Sequence, residues 1–352
     1  MQVVEITEFG SVDKLKGGER MAPSPGAGEV RIRLKATAIN PLDYKMRQGL
    51  FGGELPMVLG HDLSGVVDGV GPVPSGRGYH AADFRVGDEV YCYAGGVKSN
   101  GTYAQWVCVP TSFVAYKPDN LSFAEAAAVP LVGLTAYEAV VSKANVQPGD
   151  AVLITGATGG VGSMAVQLCR HFGASKVLAT AGSQKSVDHL TRVLGIPEDD
   201  VIRHPGRSLE ELEAEVREKN GGKPVRVAFD FVGHRMKHLC LRAIDFGGSV
   251  VSIVEENSNF ENDIFNGRTS PLFTKSASLH FQFLAARALF GTPNDWPIYS
   301  EELETLAGLF MDGKLRPPTI THLGPFSEAT IREAHTRLEA GDVQGKLVIT
   351  FD

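Results

Sequence analysis

A run of small residues at 156–162 has the clearest chemical meaning in this chain. The run, GATGGVG, follows the apolar stretch AVLIT and precedes SMAVQLCRHFG, which is typical of a helix. Glycines between a strand and a helix N-terminus let the backbone approach a pyrophosphate at the positive end of the helix dipole. The alternative is a simple strand-to-helix turn. The pattern, A-x-G-x-x-G counted from its alanine, predicts a dinucleotide site at Ala157, Thr158, Gly159, Gly160, Val161 and Gly162.

The next strand-like segment, KVLATA at 176–181, indicates which dinucleotide is bound. An NAD site needs an acidic residue at the end of this strand to hold the ribose 2′-hydroxyl. Ala181 stands in that place, and Ser183 and Lys185 follow it. A hydroxyl and an ammonium group can bind a 2′-phosphate, so NADP(H) is favoured over NAD(H), unless Lys185 is only a solvated surface lysine. Arg203 and His204, after the following strand-like segment, are candidates to add positive charge there.

The four cysteines are far apart, with no C-x-x-C pair and no nearby histidine cluster; they are Cys92, Cys108, Cys169 and Cys240. This spacing supports neither a disulfide framework nor a cysteine-built structural zinc site. We expect four small buried side chains.

Two patterns of secondary structure divide the 352 residues. Short alternating strands separated by Gly, Pro and Asp fill the first 120 or so residues and predict a barrel-like sheet, with a surface loop within 71–90. An Ala-rich helix then begins, with Ser122 as its N-cap and Glu125 completing a capping box. Strands and helices alternate after it, which predicts a parallel sheet covered by helices. A helix near 301–311, strand-like TITHLGPF, a helix at 327–340 and strand-like KLVITF complete the chain.

Charge and hydropathy exclude several classes of function. The net charge is −7 and no long basic run is present, so nucleic acid and anionic membranes are not expected partners. No apolar run approaches the roughly 20 residues of a membrane span. The N-terminal segment lacks the pattern of a secretory signal. We expect a cytoplasmic enzyme.

Several segments together resemble the medium-chain dehydrogenase/reductases, specifically their zinc-free, quinone-oxidoreductase-like branch. The segments are AINPLDYKMRQG, LGHDLSGVV, VGDEVY, GTYAQWV, AAAVPLVGLTAYEA, GATGGVG, GKLRPPTITHLGPFSEA and QGKLVITF. The resemblance covers essentially the whole chain. It implies an α/β fold with a GroES-like β-barrel catalytic domain at 1–126 and 314–352, a doubly wound Rossmann domain at 127–313, and an active site in the cleft.

The resemblance also bears on metal. Zinc enzymes of this family use Cys, His and Cys, and those positions are occupied here by Asn40, His61 and Leu131. A catalytic zinc needs three protein ligands, so no metal is expected. The alternative is that Asp43 or Asp62 substitutes for a missing ligand. His61 is then structural or faces the substrate, and Asp62 is expected to hydrogen bond in the cleft wall.

Candidate catalytic residues follow from the same resemblance. Tyr44 and Asn40 lie in the segment that the family places beside the nicotinamide, and with His61 they are the candidate catalytic residues. Thr135 resembles the family threonine close to the nicotinamide. His280 and Phe281 border the substrate pocket or, the favoured alternative, pack at a sheet edge. Loops at 51–56, 97–102 and 257–274 are expected to shape that pocket.

Without a metal to activate an alcohol, reduction of an electron-poor acceptor is the easier reaction. We expect an NADPH-dependent reductase of quinones or α,β-unsaturated carbonyls. The alternatives are a zinc-free carbonyl/alcohol dehydrogenase and a non-catalytic NADPH-binding sensor. The apolar segment KSASLHFQFLAARALF at 275–290 predicts a homodimer formed through an edge strand, as in many relatives.

Overall fold

The computed structural model describes residues 1–72, 84–94, 101–256, 264, 267–341 and 343–352. Most of the predicted surface loop at 71–90 therefore lies outside the described residues. So do parts of the expected pocket loops at 97–102 and 257–274.

The strands of the described residues are numbered in chain order. They are β1 (Gln2–Ile6), β2 (Leu15–Glu19), β3 (Glu29–Ile39), β4 (Met57–Val58), β5 (Asp62–Val70), β6 (Glu89–Tyr93), β7 (Trp106–Pro110), β8 (Val114–Tyr116), β9 (Ala151–Thr155), β10 (Lys176–Ala181), β11 (Val201–Arg203), β12 (Val225–Asp230), β13 (Ile244–Ser252), β14 (Ser278–Phe281), β15 (Ile320–Pro325) and β16 (Lys346–Thr350).

The α-helices are numbered in the same way. They are α1 (Pro41–Arg47), α2 (Phe123–Ala127), α3 (Pro130–Tyr137), α4 (Gly160–His171), α5 (Gln184–Arg192), α6 (Leu209–Lys219), α7 (Arg235–Ala243), α8 (Pro271–Thr274), α9 (Ala286–Phe290), α10 (Pro297–Met311) and α11 (Glu328–Glu339). A π-helical segment, Glu138–Lys143, continues α3. No helix in the described ranges is long and apolar enough to cross a membrane.

The chain forms two compact units, Met1–Leu134 with Leu284–Asp352, and Thr135–Phe283. The first unit contains residues 284–313, which the sequence-based division placed in the Rossmann domain. The reason is aromatic packing: the ring of Tyr299 on α10 stacks on Phe113 at 4.8 Å, and the hydroxyl of Tyr91 donates to the Leu303 carbonyl at 2.6 Å. The domain assignment itself stays a prediction.

Mostly antiparallel sheets build the first unit. One sheet has the order β2-β1-β4, and the other has the order β15-β16-β3-β5-β6-β8 with β7 also paired to β3. Alternation in β3 buries Val30, Ile32 and Leu34 on one face, as period-two patterning predicts. The Ser122–Glu125 capping box of α2 is present as predicted.

A parallel sheet forms the second unit, in the order β11-β10-β9-β12-β13-β14. In chain order these strands run 3-2-1-4-5-6, the doubly wound arrangement in which dinucleotides bind beyond the carboxyl ends of the strands where the order reverses. That reversal lies between β9 and β12. The predicted parallel sheet is confirmed. Its strands are buried by apolar side chains, among them Leu153, Leu178 and Val250.

Two helices differ from the sequence-based expectation, and local signals account for both. The helix expected near 301–311 begins earlier, at Pro297, because proline is suited to the first helical turn. Helix α1 was not predicted, although Pro41 at its start and Asp43 in its first turn, which accepts a hydrogen bond from the Asn40 backbone N–H at 2.7 Å, are ordinary helix-start signals.

Candidate functional site

The glycine-rich run connects the buried strand β9 to α4 in the second unit. Gly156 has φ +68°, a conformation that favours glycine. At Gly162 a Cβ would lie 2.2 Å from the Gly156 carbonyl oxygen, so only glycine allows the first turn of α4 to pack this closely on the loop. The N-cap residue Gly159 provides no side-chain cap. The N–H groups at the start of this twelve-residue helix therefore remain suited to an anion.

The predicted pyrophosphate-binding residues all lie in this one connection between β9 and the first turn of α4. They are Ala157, Thr158, Gly159, Gly160, Val161 and Gly162. Close backbone packing and an uncapped helix N-terminus fit the requirements of a dinucleotide pyrophosphate.

Side chains at the end of β10 fit a 2′-phosphate better than a ribose diol. Ala181 is the last residue of β10 and pairs with Arg203 of β11, and the His204 N–H donates to the Ala181 carbonyl at 3.2 Å. Ser183 is the N-cap of α5, where its Oγ accepts from the Ser186 N–H at 3.1 Å. Lys185 lies in the first turn of α5. The structure thus gathers the four predicted polar residues near this strand end, in a region without the acidic residue that NAD requires.

The charge state of His204 follows from its surroundings. Burial, together with the positive charge of Arg235, lowers its pKa below the ordinary histidine value. His204 is therefore neutral at pH 7 and provides a hydrogen-bonding ring rather than a charge. The guanidinium of Arg203 donates to Gln184 at 2.8 Å. Thr135, the predicted nicotinamide neighbour, is buried in α3.

A second group of polar residues is buried in the first unit, where β3, β5 and β16 meet. Oδ2 of Asp62 accepts from the Asn40 amide at 2.8 Å and from the Lys346 ammonium at 2.9 Å, and Oδ1 accepts from the Leu131 N–H at 2.7 Å. Lys346 also donates to Oδ1 of Asn40. The expected hydrogen-bonding role of Asp62 is confirmed, and Asn40 uses both its oxygen and its nitrogen inside the protein.

His61 is held by Asp43 beside this group. Its Nδ1 donates to Oδ1 of Asp43 at 2.5 Å, and its ring lies 6.2 Å from that of Tyr93 in a stacked arrangement. His61 is 5% exposed. Since Asp43 occupies Nδ1, Nε2 is the nitrogen of His61 that can exchange a proton with a substrate.

Tyr103 and His335 form a further buried hydrogen-bonded pair in the first unit. The Tyr103 hydroxyl forms a hydrogen bond with Nε2 of His335 at 2.9 Å, and both side chains are buried. Burial, together with the negative charge of Asp43, raises the pKa of Tyr103 well above its ordinary value. Burial also lowers the pKa of His335 to about 4, so it is neutral at pH 7.

Tyr44 lies apart from these hydrogen bonds. It is half-buried on α1, and burial together with the negative charge of Glu339 raises its pKa. Within the described residues it makes no hydrogen bond to Asn40 or His61, so the structure connects two of the three predicted catalytic residues through their neighbours and leaves the third separate.

Sequence reasoning missed the residues that complete this group, namely Lys346, Tyr103 and His335. Lysine at the start of an apolar strand and histidine within an amphipathic helix resemble ordinary surface residues in a single sequence. The sequence offered one signal for Lys346: a polar residue at a strand position where the apolar pattern predicts burial.

The three positions that hold zinc ligands in zinc enzymes of the family carry side chains poorly suited to zinc here. Leu131 offers only an apolar side chain, the Asn40 amide is bonded to Asp62 and Lys346, and His61 is bonded to Asp43. Among the described residues no group of three His, Cys, Asp or Glu side chains is spaced to hold a metal ion. All four cysteines are buried free thiols, as expected.

Two family models match the chain. The alcohol dehydrogenase GroES-like domain matches residues 26–119, and a domain described as zinc-binding dehydrogenase matches residues 160–304. These matches fall on the two parts of the chain that the sequence patterns distinguish.

Known relatives match over nearly the whole length. The chain is 35% identical to a 2-methylene-furan-3-one reductase of Solanum lycopersicum, over 99% of this chain and 79% of the relative. It is 31% identical to a chloroplastic NADPH-dependent alkenal/one oxidoreductase of Arabidopsis thaliana, with the same coverage. The quinone oxidoreductase of Coxiella burnetii superposes with a TM-score of 0.78 at 28% identity, over 99% of both chains. The chain thus belongs to the medium-chain dehydrogenase/reductase superfamily, in its quinone-oxidoreductase-like branch, and is an oxidoreductase of that type.

Proposed function

We propose that this enzyme uses NADPH, without zinc, to reduce a quinone or the activated C=C bond of an α,β-unsaturated carbonyl compound. The observation that carries the proposal is the nucleotide site of the second unit. Its uncapped helix N-terminus suits a pyrophosphate, and the end of β10 replaces the acid of NAD enzymes with Ala181 near Ser183 and Lys185. The relative named as an NADPH-dependent alkenal/one oxidoreductase supports the same cofactor.

Each cofactor-binding residue has a defined task in this proposal. The 157–162 backbone binds the pyrophosphate through N–H groups and the helix dipole. Lys185 neutralises the 2′-phosphate, with Ser183 as a hydrogen-bond donor and His204 as a neighbouring ring. Thr135 positions the nicotinamide. NADPH, when bound, supplies the hydride.

His61 is the residue proposed to hold the proton that completes the reduction. Asp43 orients the ring and stabilises its protonated form, while Nε2 is directed away from Asp43. Asn40 acts through Asp62 and Lys346, which makes it a positioning residue in this proposal. Tyr44 is the alternative proton donor.

Zinc independence rests on the donor set. A catalytic zinc is bound by three side chains with nitrogen, oxygen or sulfur donors. Leu131 has none, and the Asn40 amide already bonds to a carboxylate and an ammonium.

A substrate panel tests the proposal. NADPH oxidation is followed with a cyclic enone, an acyclic enal, a benzoquinone and a saturated ketone, before and after dialysis against a chelator. We expect turnover with the enone, the enal or the quinone, no turnover with the ketone, and no effect of the chelator. With the enal, a saturated aldehyde product identifies C=C reduction, whereas an allylic alcohol identifies carbonyl reduction.

Three outcomes would contradict parts of this proposal. Turnover confined to the saturated ketone would favour a carbonyl dehydrogenase. Activity lost on chelation and restored by zinc would overturn zinc independence. NADPH binding without oxidation by any acceptor would overturn the reductase assignment.

A further inference from the structure

The second unit contains a fully buried lysine outside the predicted nucleotide-binding residues. Lys237, on α7, has a side chain with 0% exposure. Its ammonium donates to the Val254 carbonyl at 2.7 Å and forms ion pairs with Glu256 at 3.0 Å and Asp230 at 3.8 Å. A buried ammonium is expensive to desolvate and needs such partners. None of these residues belongs to the dinucleotide fingerprint.

The two carboxylates bind the backbone of a loop at 231–234, directly after β12. Oδ1 of Asp230 accepts from the Gly233 N–H at 2.8 Å, and Oε1 of Glu256 accepts from the His234 N–H at 2.6 Å. Oδ2 of Asp230 accepts from the Ser252 hydroxyl at 2.8 Å, at the end of β13. Lys237 thus connects the loop after β12 with the segment 253–256 after β13.

The backbone of this loop needs such support. Gly233 has φ +85°, and His234 has φ +49°, which is uncommon for a residue with a side chain. Conformations of this kind persist when the surrounding structure holds them in place. The hydrogen bonds that Asp230 and Glu256 accept from the consecutive N–H groups of Gly233 and His234 provide that constraint.

The supported loop contacts the glycine-rich run itself. A Cβ on Gly156 would lie 3.0 Å from Cγ2 of Val232 and 3.4 Å from Cβ of Phe231. The Phe231 N–H also donates to the hydroxyl of Thr155, the last residue of β9, at 3.3 Å. The residues 156–159 form a turn, closed by a hydrogen bond from the Gly159 N–H to the Gly156 carbonyl at 3.1 Å, which we call the Gly156 turn. A shift of the 231–234 loop would therefore displace the residues against which this turn packs.

We propose that Lys237 is a positioning residue for the dinucleotide: by pairing with Asp230 and Glu256 it holds the 231–234 and 253–256 segments where the Gly156 turn requires them. This inference rests on the proposed use of that turn for NADPH. Without the ammonium, two buried carboxylates repel each other and the loop samples other conformations. If the binding-competent form were populated one tenth of the time, the apparent affinity would fall about tenfold.

The matched control is another lysine of the second unit. Lys275 donates from Nζ to the carbonyls of Arg242 and Ile244 at 2.6 and 2.8 Å. Ile244 is the first residue of β13, so Lys275 lies at the amino-terminal edge of the sheet, opposite the nucleotide edge. Lys237→Met and Lys275→Met each remove a lysine that bonds to backbone carbonyls, but only Lys237 is connected to the Gly156 turn.

The experiment measures the NADPH dissociation constant by cofactor fluorescence, together with Tm, for the wild type, Lys237→Met, Lys275→Met and Ser252→Ala. We expect lower Tm in both lysine variants, an NADPH dissociation constant raised about tenfold in Lys237→Met, and a value within twofold of wild type in Lys275→Met. Ser252→Ala leaves no buried charge unpaired and remains informative if Lys237→Met does not fold. We expect it to weaken NADPH binding about threefold.

Two results would overturn the inference. One is a folded Lys237→Met variant with a wild-type dissociation constant. The other is Lys237→Met that fails to fold while Ser252→Ala binds NADPH as the wild type does. Failure of the wild type itself to bind NADPH would instead overturn the proposed function, and this inference with it.

Discussion

Asp43 accepts a hydrogen bond from Nδ1 of His61 at 2.5 Å, and the carboxylate has 0% exposure. Burial acts to raise the pKa of Asp43, but attraction to His61, the hydrogen bond from His61 and the Asn40 N–H outweigh it, so the pKa lies below its ordinary value. Asp43 is therefore ionised at pH 7. An ionised carboxylate fixes the tautomer of the adjacent imidazole and stabilises its protonated form, as the aspartate of a Ser-His-Asp triad does.

Asp43→Asn tests whether this pair delivers the proton. We expect kcat with the best enone or quinone to fall about ten- to a hundredfold, because the amide no longer stabilises protonated His61. The NADPH dissociation constant is expected to stay within twofold of wild type, since Asp43 bonds to Asn40 and His61 and to none of the residues proposed to bind NADPH. Steady-state kinetics and fluorescence titration give the two values.

Tyr44→Phe is the companion variant. The raised pKa of Tyr44 makes its hydroxyl a weaker acid, so we expect kcat to remain within threefold of wild type. If Tyr44→Phe lowered kcat tenfold or more while Asp43→Asn did not, the proton donor would be Tyr44.

Lys185→Ala tests the cofactor preference. The wild type is expected to bind NADPH more tightly than NADH, because a charged contact with the 2′-phosphate contributes about 1 to 3 kcal/mol. The variant is expected to narrow this difference by weakening NADPH binding alone. The control is Lys223→Ala, which changes an exposed lysine before β12. It is expected to leave both dissociation constants unchanged. Equal affinities for the two cofactors in the wild type would contradict the assignment.

The low pKa of buried His335 predicts that the folded protein loses stability in mild acid. Burial, with the charge of Arg47 acting in the same direction and that of Asp43 opposing it, lowers its pKa from 6.5 to about 4. The unfolded chain binds this proton more readily, so stability falls as the pH drops from about 6.5 towards 4. Between pH 7 and pH 5 the linkage amounts to about 2 kcal/mol.

Urea unfolding of the wild type and His335→Gln at both pH values measures this linkage. The variant is expected to be less stable at pH 7 and to lose about 2 kcal/mol less than the wild type on going to pH 5. An identical loss in both proteins would mean that His335 is not the responsible group.

The position of β14 at the edge of the sheet indicates that the protein forms a homodimer. This strand pairs with β13 on one side and forms the end of the sheet in the described residues. Phe281, the last residue of β14, is 57% exposed, and Phe283 just after it is 43% exposed. An exposed apolar edge favours pairing with another copy. We expect a homodimer by light scattering at micromolar concentration, and weaker association in Phe283→Lys. A monomeric wild type would contradict this prediction.

Local sequence signals were sufficient for much of the second unit. The connection from β9 to α4, the end of β10 and the Ser122–Glu125 capping box each lie within a few consecutive residues, so one segment contains the whole pattern. Glycine conformation, helix capping and strand patterning depend on neighbouring residues, and for that reason a single sequence reports them. The same signals predict a parallel sheet but not its strand order, because more than one doubly wound order is common, and the folded structure shows the order 3-2-1-4-5-6.

The buried polar group of the first unit depended on tertiary structure. Asn40 and Asp62 are 22 positions apart, and Lys346 is 284 positions from Asp62 and 306 from Asn40. No periodic pattern connects such distant residues, and each one alone resembles a surface residue. Only the pairing of β3 with both β5 and β16 brings them together. Once they are buried, each charge needs a partner, and the folded sheet determines which one it finds.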